Sequence, residues 1–255
     1  MKTQIKTCFI VPCYNEENRL PVADFETFLN VHPDTLICFV DDVSTDNTKN
    51  VLLQICEHYP DNSIYLEIKK NVGKAEAVRQ GVLLCNSKYE HEFVAYLDAD
   101  LSTTPEECLE MRNLFLQKIQ FCFASRILRI GSVIKRKRYR FLIGRVIATF
   151  ISTILHLKVY DTQCGCKMFT KKLSEEVFRE KFYSRWLFDV EIFFRIIELF
   201  GREHVQDIML EVPLRHWEDK GNSKISPWYF FVLWKDLFYI RQYYKKRQNS
   251  GQFKK

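Results

Sequence analysis

The sequence predicts an α/β protein with a mostly parallel central sheet flanked by helices, and three features lead to that prediction. Short apolar runs alternate with helical patterns through the first half of the chain, which is typical of βαβ units. The 255 residues are 47% hydrophobic and 27% charged, which suffices for one well-buried core. No repeat or low-complexity linker divides the chain. We therefore expect one domain over residues 1–245, followed by a basic, flexible tail at 246–255.

The first half should contain five strands and four helices. The strands are expected at 8–12, 36–41, 64–68, 93–98 and 121–125, and the helices near 17–30, 46–58, 74–85 and 105–118. Asp46 is a candidate N-cap, and Thr104 before Pro105, with Glu107 three residues on, is typical of a capping box. Polar loops follow the strand ends, where open α/β sheets bind ligands.

The second half of the chain has a different composition. Residues 126–145 contain eight basic side chains and no acidic one, and the twelve residues 146–157 that follow carry no Asp, Glu, Lys or Arg. This run is too short to span about 30 Å of hydrocarbon, so we expect a buried or interfacial helix. The aromatic and basic segment 228–247 is typical of an amphipathic helix at a bilayer surface, and a terminal helix packed on its own domain also fits.

The net charge indicates the kind of binding partner, and the cysteine content indicates the cellular compartment. A net charge of +6 favours an anionic partner: nucleic acid, phospholipid or a phosphorylated small molecule. Nucleic acid is disfavoured because the basic residues are interleaved with aliphatic ones and no binding motif accompanies them. Nine cysteines without a CxxC pair favour free thiols in a reducing cytoplasm. The N-terminal apolar stretch is too short for a signal peptide.

Polar stretches follow the first four strands and can converge on one crevice. They read FIVPCYNEE, VDDVSTDNT, NVGKAEAVRQG and LDADLS. Residues two apart in an extended strand point the same way, so Asp98 and Asp100 can present both carboxylates to one ligand if the strand continues that far. Hard divalent cations prefer such oxygen ligands. Gly73 and Lys74 stand at a helix N-terminus and could meet a diphosphate.

This combination resembles the family-2 glycosyltransferases of the GT-A fold over about residues 7–243. DTQCGCKMF at 161–169, RWLFDVEI at 185–192 and HWEDKGNSK at 216–224 look like the dolichyl-phosphate β-glucosyltransferase subgroup. The resemblance implies a metal-dependent, inverting hexosyltransferase with a nucleotide-sugar donor, above all UDP-glucose, and with Mg²⁺ or Mn²⁺. It also implies a donor-binding half at 1–125 and an acceptor and membrane-facing half at 126–245.

The resemblance further implies roles for single residues. The donor-binding set is Pro12, Tyr14, Asn15, Glu16, Asp42, Gly73, Lys74, Asp98 and Asp161, with Asp42 at the base edge. The metal ligands are Asp98 and Asp100, and the catalytic set is Asp100, Gln163, Arg126 and Asp189. Gly165 would allow close backbone approach. Family members commonly have glycine where this chain has Val43, and valine disfavours positive φ.

Two acceptors fit these residues. A polyprenyl phosphate arrives largely ionised, so Asp189 would orient it rather than deprotonate it, whereas a saccharide hydroxyl of a capsule or envelope polymer needs a general base. Macrodipole stabilisation alone also explains the acids Asp189 and Glu191 at a helix start. For a lipid phosphate, the acceptor-binding residues would be Arg138, Arg140, Arg145 and Lys224. The enzyme would then be cytoplasmic and peripherally attached to the inner face of the membrane, and a noncatalytic binding module is a third hypothesis.

Overall fold

The computed structural model describes residues 4–116, 118–220 and 229–249. The strands are β1 (Thr7–Cys13), β2 (Thr35–Asp41), β3 (Ser63–Glu67), β4 (Phe93–Leu97), β5 (Phe121–Ser125), β6 (Val133–Lys135), β7 (Cys166–Thr170), β8 (Met209–Pro213) and β9 (His216–Glu218). The helices are α1 (Val22–Val31), α2 (Thr48–His58), α3 (Lys74–Lys88), α4 (Pro105–Glu110), α5 (Arg138–Leu155), α6 (Lys171–Val177), α7 (Phe188–Phe200), α8 (Val205–Ile208) and α9 (Tyr229–Asn249).

Seven strands form one sheet in the order β3-β2-β1-β4-β7-β5-β8. The neighbouring strands are parallel except at β7, which runs antiparallel to both β4 and β5. The predicted mostly parallel sheet is confirmed, and the five predicted strands are present with ends shifted by at most one residue. Strands β6 and β9 pair separately and in parallel.

Each face of the sheet supports its own core. In β1, Cys8 and Ile10 belong to the core that includes residues of α3, α5 and α7, whereas Phe9 and Val11 belong to the core that includes residues of α1 and α2. This alternation follows from the period of two in a strand, and burial on both faces explains why β1 reads as a continuous apolar run.

Helices α1 and α2 begin later than the sequence predicted. Helix α1 starts at Val22, and α2 starts at Thr48 with Asn47 in the N-cap position, so the prediction of Asp46 as N-cap was wrong. Asp46 instead accepts from the Thr48 backbone N–H at 3.1 Å and from the Glu17 N–H at 3.2 Å. The residues before both helices are thus fixed in cross-linked loops rather than in helical turns.

The start of α4 follows the predicted capping pattern in part. The Thr104 hydroxyl accepts from the Glu107 N–H at 3.2 Å, and Pro105 occupies the first turn. The Glu107 carboxylate does not complete the box, because it accepts from the backbone N–H groups of Arg215 and His216 at 2.7 and 3.1 Å. The α-helix is also shorter than predicted and continues as a 3₁₀ turn over Met111–Leu114.

Helices α5 and α9 each combine a buried face with an exposed apolar one. In α5, Leu142 is 64% exposed and Val146 is 61% exposed, while Ile151 is buried. In α9, Phe238 is 57% exposed and Ile240 is buried. Each helix therefore packs on its own domain and leaves apolar side chains outward. Within the described parts of the chain, no helix is both long and apolar enough to cross a bilayer.

Candidate active site

The loops after β1 and β2 are fastened to each other. The Asn15 N–H donates to the Ser44 hydroxyl at 3.0 Å, and the Thr45 N–H donates to Asn15 Oδ1 at 2.7 Å. The Glu16 N–H donates to the Thr48 hydroxyl at 2.7 Å. These bonds join segments about thirty residues apart and show that the loops after β1 and β2 meet, as predicted for this pair. Among the predicted donor-binding residues, Pro12 lies within β1 and Tyr14 is exposed directly after it.

Asp42 joins the third loop to this group. Its two carboxylate oxygens accept from the backbone N–H groups of Val72 and Gly73 at 2.7 and 2.8 Å. Burial raises the pKa of Asp42 more than these bonds lower it. Gly73 has a φ of 86°, which glycine adopts without strain. The Asp42 carboxylate and the Gly73 N–H are therefore engaged with each other, and contact of either with a nucleotide stays a prediction.

Val43 carries the positive φ that its side chain disfavours, with a value of 64°. A non-glycine residue in this region costs about 1–2 kcal/mol. Since the side chain is more than a third exposed, we expect Val43→Gly to raise the free energy of unfolding by about 1 kcal/mol, measured by urea denaturation. The matched control is Val133→Gly, at an exposed valine in the extended strand β6. This substitution should lower the free energy of unfolding by about 0.5–1 kcal/mol. Equal losses in both variants would contradict the strain at Val43.

Asp98 and Asp100 occupy a tight turn rather than an extended strand. Strand β4 ends at Leu97, the Leu101 N–H donates to the Asp98 carbonyl at 3.0 Å, and Leu101 has a φ of 48°. The strand therefore does not continue as far as Asp100, so the condition for the two side chains to point the same way along a strand is not met. The two carboxylates are held by separate cations: Lys74 Nζ lies 2.5 Å from Asp98 Oδ1, and Arg19 Nη2 lies 2.6 Å from Asp100 Oδ2.

Lys74 is a permanent positive charge at this turn. Desolvation acts to lower its pKa, but the carboxylates of Asp98, Asp189 and Asp100 outweigh it and raise the pKa above the ordinary value. The Asp98 side chain remains 38% exposed beside it. The site thus offers an accessible carboxylate and a fixed ammonium within contact distance of each other.

The loop at 161–165 lies directly against the Asp98 turn, and it is irregular as predicted. A Cβ atom at Gly165 would stand only 1.9 Å from Asp98 Oδ2. No side chain fits in that space, so glycine is required for this approach.

Arg126 and Asp161 form a two-point ion pair next to this loop. Arg126 Nε and Nη2 donate to the two Asp161 oxygens at 2.6 and 2.9 Å, and the Gln163 N–H donates to Asp161 at 3.0 Å. Desolvation opposes the charge on Asp161, but the guanidinium and these hydrogen bonds hold its pKa well below the usual range. Glu211 of β8 accepts from the Tyr160 and Asp161 N–H groups at 2.8–3.1 Å and fixes the loop from the other side.

Asp189 lies in a buried cluster at the start of α7. It is 5% exposed, and its Oδ1 atom accepts a hydrogen bond from the Tyr96 hydroxyl. The same oxygen accepts from Lys167 Nζ at 2.5 Å. Lys167 is fully buried and also donates to the Cys164 carbonyl at 2.7 Å. Glu191, also placed at a helix start by the sequence, accepts from two backbone N–H groups and from Tyr244.

The predicted acceptor residues have intramolecular partners where they are described. Arg140 pairs with Asp219 at 2.8 Å. Arg145 donates to the Tyr160 carbonyl at 2.8 Å and lies 3.6 Å above that ring. Lys224 and the side chain of Arg138 lie outside the described residues.

Sequence reasoning missed four residues that hold the site together. These are Arg19, Tyr96, Lys167 and Glu211. Lys167 carried a usable signal, because a single lysine inside the apolar stretch CKMF is expected to be paired when buried.

The donor set at the Asp98 turn suits a hard divalent cation. It consists of two carboxylates separated by one residue, of which Asp98 is accessible. The described residues contain no cluster of three or more His, Cys, Asp or Glu side chains suited to a metal. Magnesium-type sites commonly use one or two carboxylates and take their other oxygens from substrate phosphates, so the two acids fit that mode of binding.

Comparisons with known proteins identify the family of this chain. The model of the family named Glycosyl transferase family 2 matches residues 8–178. A dolichyl-phosphate beta-glucosyltransferase of Dictyostelium discoideum is 30% identical over 249 residues, covering 91% of this chain and 72% of the relative. The enzymes of that name from Mus musculus and Saccharomyces cerevisiae are each 30% identical, covering 92% of this chain and 74% of theirs.

A solved structure gives the corresponding fold. The glucosyl-3-phosphoglycerate synthase of Mycobacterium tuberculosis, in complex with Mn²⁺, UDP-glucose and glycerol 3-phosphate, superposes with a TM-score of 0.66. The alignment covers 94% of this chain and 80% of that one at 14% identity, a likeness that concerns the fold.

Proposed function

This chain belongs to glycosyl transferase family 2, and from that premise we propose that it transfers glucose from UDP-glucose to a polyprenyl phosphate. The relatives at 30% identity are dolichyl-phosphate beta-glucosyltransferases, and the alignments cover 91% and 92% of this chain. The observation that carries the proposal is the close approach of Gly165 to Asp98, because it brings the loop at 161–165 against the Asp98 carboxylate.

The proposed step is a direct displacement at the anomeric carbon of the glucose. An oxygen of the acceptor phosphate forms the new bond to this carbon, and the bond to the UDP oxygen breaks with its electron pair leaving on UDP. Configuration inverts, so the product is a β-linked glucosyl phosphate lipid. The chain must therefore hold a departing diphosphate and an incoming phosphate at the same time.

The donor diphosphate is assigned to the Asp98 turn. Asp98 and Asp100 would hold a divalent cation, Mg²⁺ or Mn²⁺, which supplies neutralising charge for the departing diphosphate. Lys74 keeps its proton at neutral pH and adds a second positive charge. The Gln163 backbone N–H donates to Asp161, which is itself held by Arg126. We therefore assign to the Arg126–Asp161 pair the role of positioning the loop at 161–165.

A phosphate acceptor suits the surroundings of Asp189 better than a saccharide hydroxyl does. A hydroxyl acceptor needs a general base within hydrogen-bond reach. Asp189 is buried, and one of its oxygens already receives both Tyr96 and Lys167. An ionised phosphate needs no base, and the comparisons likewise do not favour transfer to a saccharide.

Arg136 is a candidate for the acceptor phosphate. Burial and, after it, the charge of Arg126 lower the pKa of Arg136, and the carboxylates of Asp161 and Asp219 only partly offset them. Within the described part of the chain Arg136 has no ion pair, unlike Arg126 and Arg140. An anionic acceptor between the guanidinium groups of Arg126 and Arg136 would relieve their repulsion.

Membrane association of this chain is also proposed, through α5 and α9. Leu142 and Val146 of α5 and Phe238 of α9 present exposed apolar surface, and the segment just before α5 is basic. Apolar side chains beside cationic ones are typical of helices that lie at an anionic bilayer surface. A polyprenyl phosphate would be met at such a surface.

The test is an incubation of the full chain with a panel of UDP- and GDP-sugars, a polyprenyl phosphate and Mg²⁺ or Mn²⁺, followed by mass spectrometry of the lipid. We expect one hexosyl group to be added from UDP-glucose. Transfer from GDP-mannose alone would overturn the donor assignment.

A further inference from the structure

A cationic cavity lies between α5, α7 and α9, and the proposed reaction does not use it. Its volume is about 230 Å³. The described residues that line it are Ile154, His156, Phe194, Arg202, Arg241 and Lys245. The floor is apolar, since Ile154 and Phe194 are buried, and the polar lining consists of three permanent cations and a histidine without a carboxylate.

The cations of this cavity lack anionic partners among the residues that the structure describes. Arg202 donates one N–H to the Leu155 carbonyl at the C-terminus of α5, and burial lowers its pKa. No acid within the described ranges pairs with Arg202, Arg241 or Lys245, whereas nearby Arg247 is paired with Glu180 at 2.7 Å. Like charges gathered without counter-charges repel each other, and an anion in the cavity would compensate them.

The cavity adjoins the exposed apolar face of the same two helices. Arg241 and Lys245 are one helical turn apart and lie two and three turns beyond Trp234, which packs edge-to-face on Phe150 of α5 at 4.6 Å. The groove between α5 and α9 is therefore aromatic at Trp234 and basic at Lys245. This gradient matches a lipid, whose apolar chain continues into a charged headgroup.

The cavity is separate from the active site. Arg140, in the first turn of α5, pairs with Asp219 near Arg136, whereas the cavity lies at the end of this helix of 18 residues. At 1.5 Å per residue the two ends of α5 are about 25 Å apart. One acceptor phosphate cannot occupy both places.

We propose that this cavity binds the phosphate of an anionic membrane phospholipid and so orients the protein on the bilayer. The proposal rests on the membrane association proposed above and gives that surface a specific headgroup site. A volume of about 230 Å³ is smaller than the roughly 300–1,000 Å³ of sites for drug-sized molecules and suits a small headgroup.

The test is vesicle co-sedimentation of the full chain with phosphatidylcholine alone and with phosphatidylcholine plus phosphatidylglycerol. We expect Arg241→Gln/Lys245→Gln to weaken binding to the anionic vesicles about tenfold or more, given the usual contribution of basic residues at such surfaces. The charge-matched control is Lys88→Gln/Lys172→Gln, at two exposed lysines outside the cavity, and it should change binding less than threefold.

The possible outcomes distinguish the headgroup site from membrane association and from glucosyl transfer. Wild-type-like binding of the Arg241/Lys245 variant, or equal losses in both double variants, would overturn the headgroup site while leaving membrane association intact. Failure of the wild type to bind anionic vesicles would overturn both the site and the membrane association. Glucosyl transfer to a detergent-dispersed polyprenyl phosphate should be unchanged in the Arg241/Lys245 variant, and its loss would contradict a site separate from the active site.

Discussion

The Asp98→Asn substitution is expected to lower kcat/KM for glucosyl transfer by about 10³-fold, because charge stabilisation of a leaving group by a bound metal is worth several kcal/mol. Asn keeps the shape of the side chain but removes the negative charge that a divalent cation requires. The pair with Lys74 is only partly buried, and Asp189 and Asp100 still compensate the Lys74 charge, so the free energy of unfolding should change by no more than about 1 kcal/mol.

The measurement is a steady-state transfer assay over a titration of Mg²⁺ and Mn²⁺. Asp24→Asn on α1 is the matched control, since this carboxylate is exposed and lies outside the loops of the site. We expect the control to keep full activity. Activity of Asp98→Asn within tenfold of the wild type at every metal concentration would contradict a role for Asp98 in metal binding.

The Lys167→Met substitution is expected to lower the free energy of unfolding by about 3–5 kcal/mol. Lys167 is fully buried, and its ammonium balances the carboxylate of Asp189 at 2.5 Å. Removing the lysine leaves a buried, unpaired charge. In Lys167→Met/Asp189→Asn neither residue is charged, and Asn can still accept from Tyr96, so we expect most of the loss to be recovered.

Urea denaturation of the two single variants and the double variant gives the coupling energy directly. A single-variant loss below about 1 kcal/mol, or additive losses in the double variant, would contradict the buried pair. The pairing also changes how Asp189 must be tested for catalysis. Asp189→Ala would lower activity by destabilising the protein, so Asp189→Asn with a parallel stability measurement is the informative variant.

Features that arise from local patterns could be predicted from the sequence. The apolar runs of β1 and β2 are long because both faces of the sheet are covered, and the polar loops after them had to meet at one edge. Thr104 and Pro105 likewise indicated the start of α4, because an N-cap and a first-turn proline are recognisable from neighbouring residues alone.

Local patterns could not reveal the parts of the site that depend on distant partners. Strand β7 was missed because Lys167 interrupts its apolar pattern, and Asp189, which neutralises this lysine, is 22 residues away. The turn at Asp98 was missed because it places Leu101 at a positive φ, which leucine rarely adopts. The Arg126–Asp161 pair likewise joins residues that have no local pattern in common.

In the proposed reaction, a lipid phosphate oxygen attacks the anomeric carbon of UDP-glucose. The most direct measurement compares a polyprenyl phosphate with the matching polyprenol as acceptors, by mass spectrometry of the lipid and NMR of the new linkage. We expect one hexosyl group, β-linked through phosphate, on the polyprenyl phosphate and none on the polyprenol. Transfer to the polyprenol, or an α-linked product, would contradict the proposed reaction.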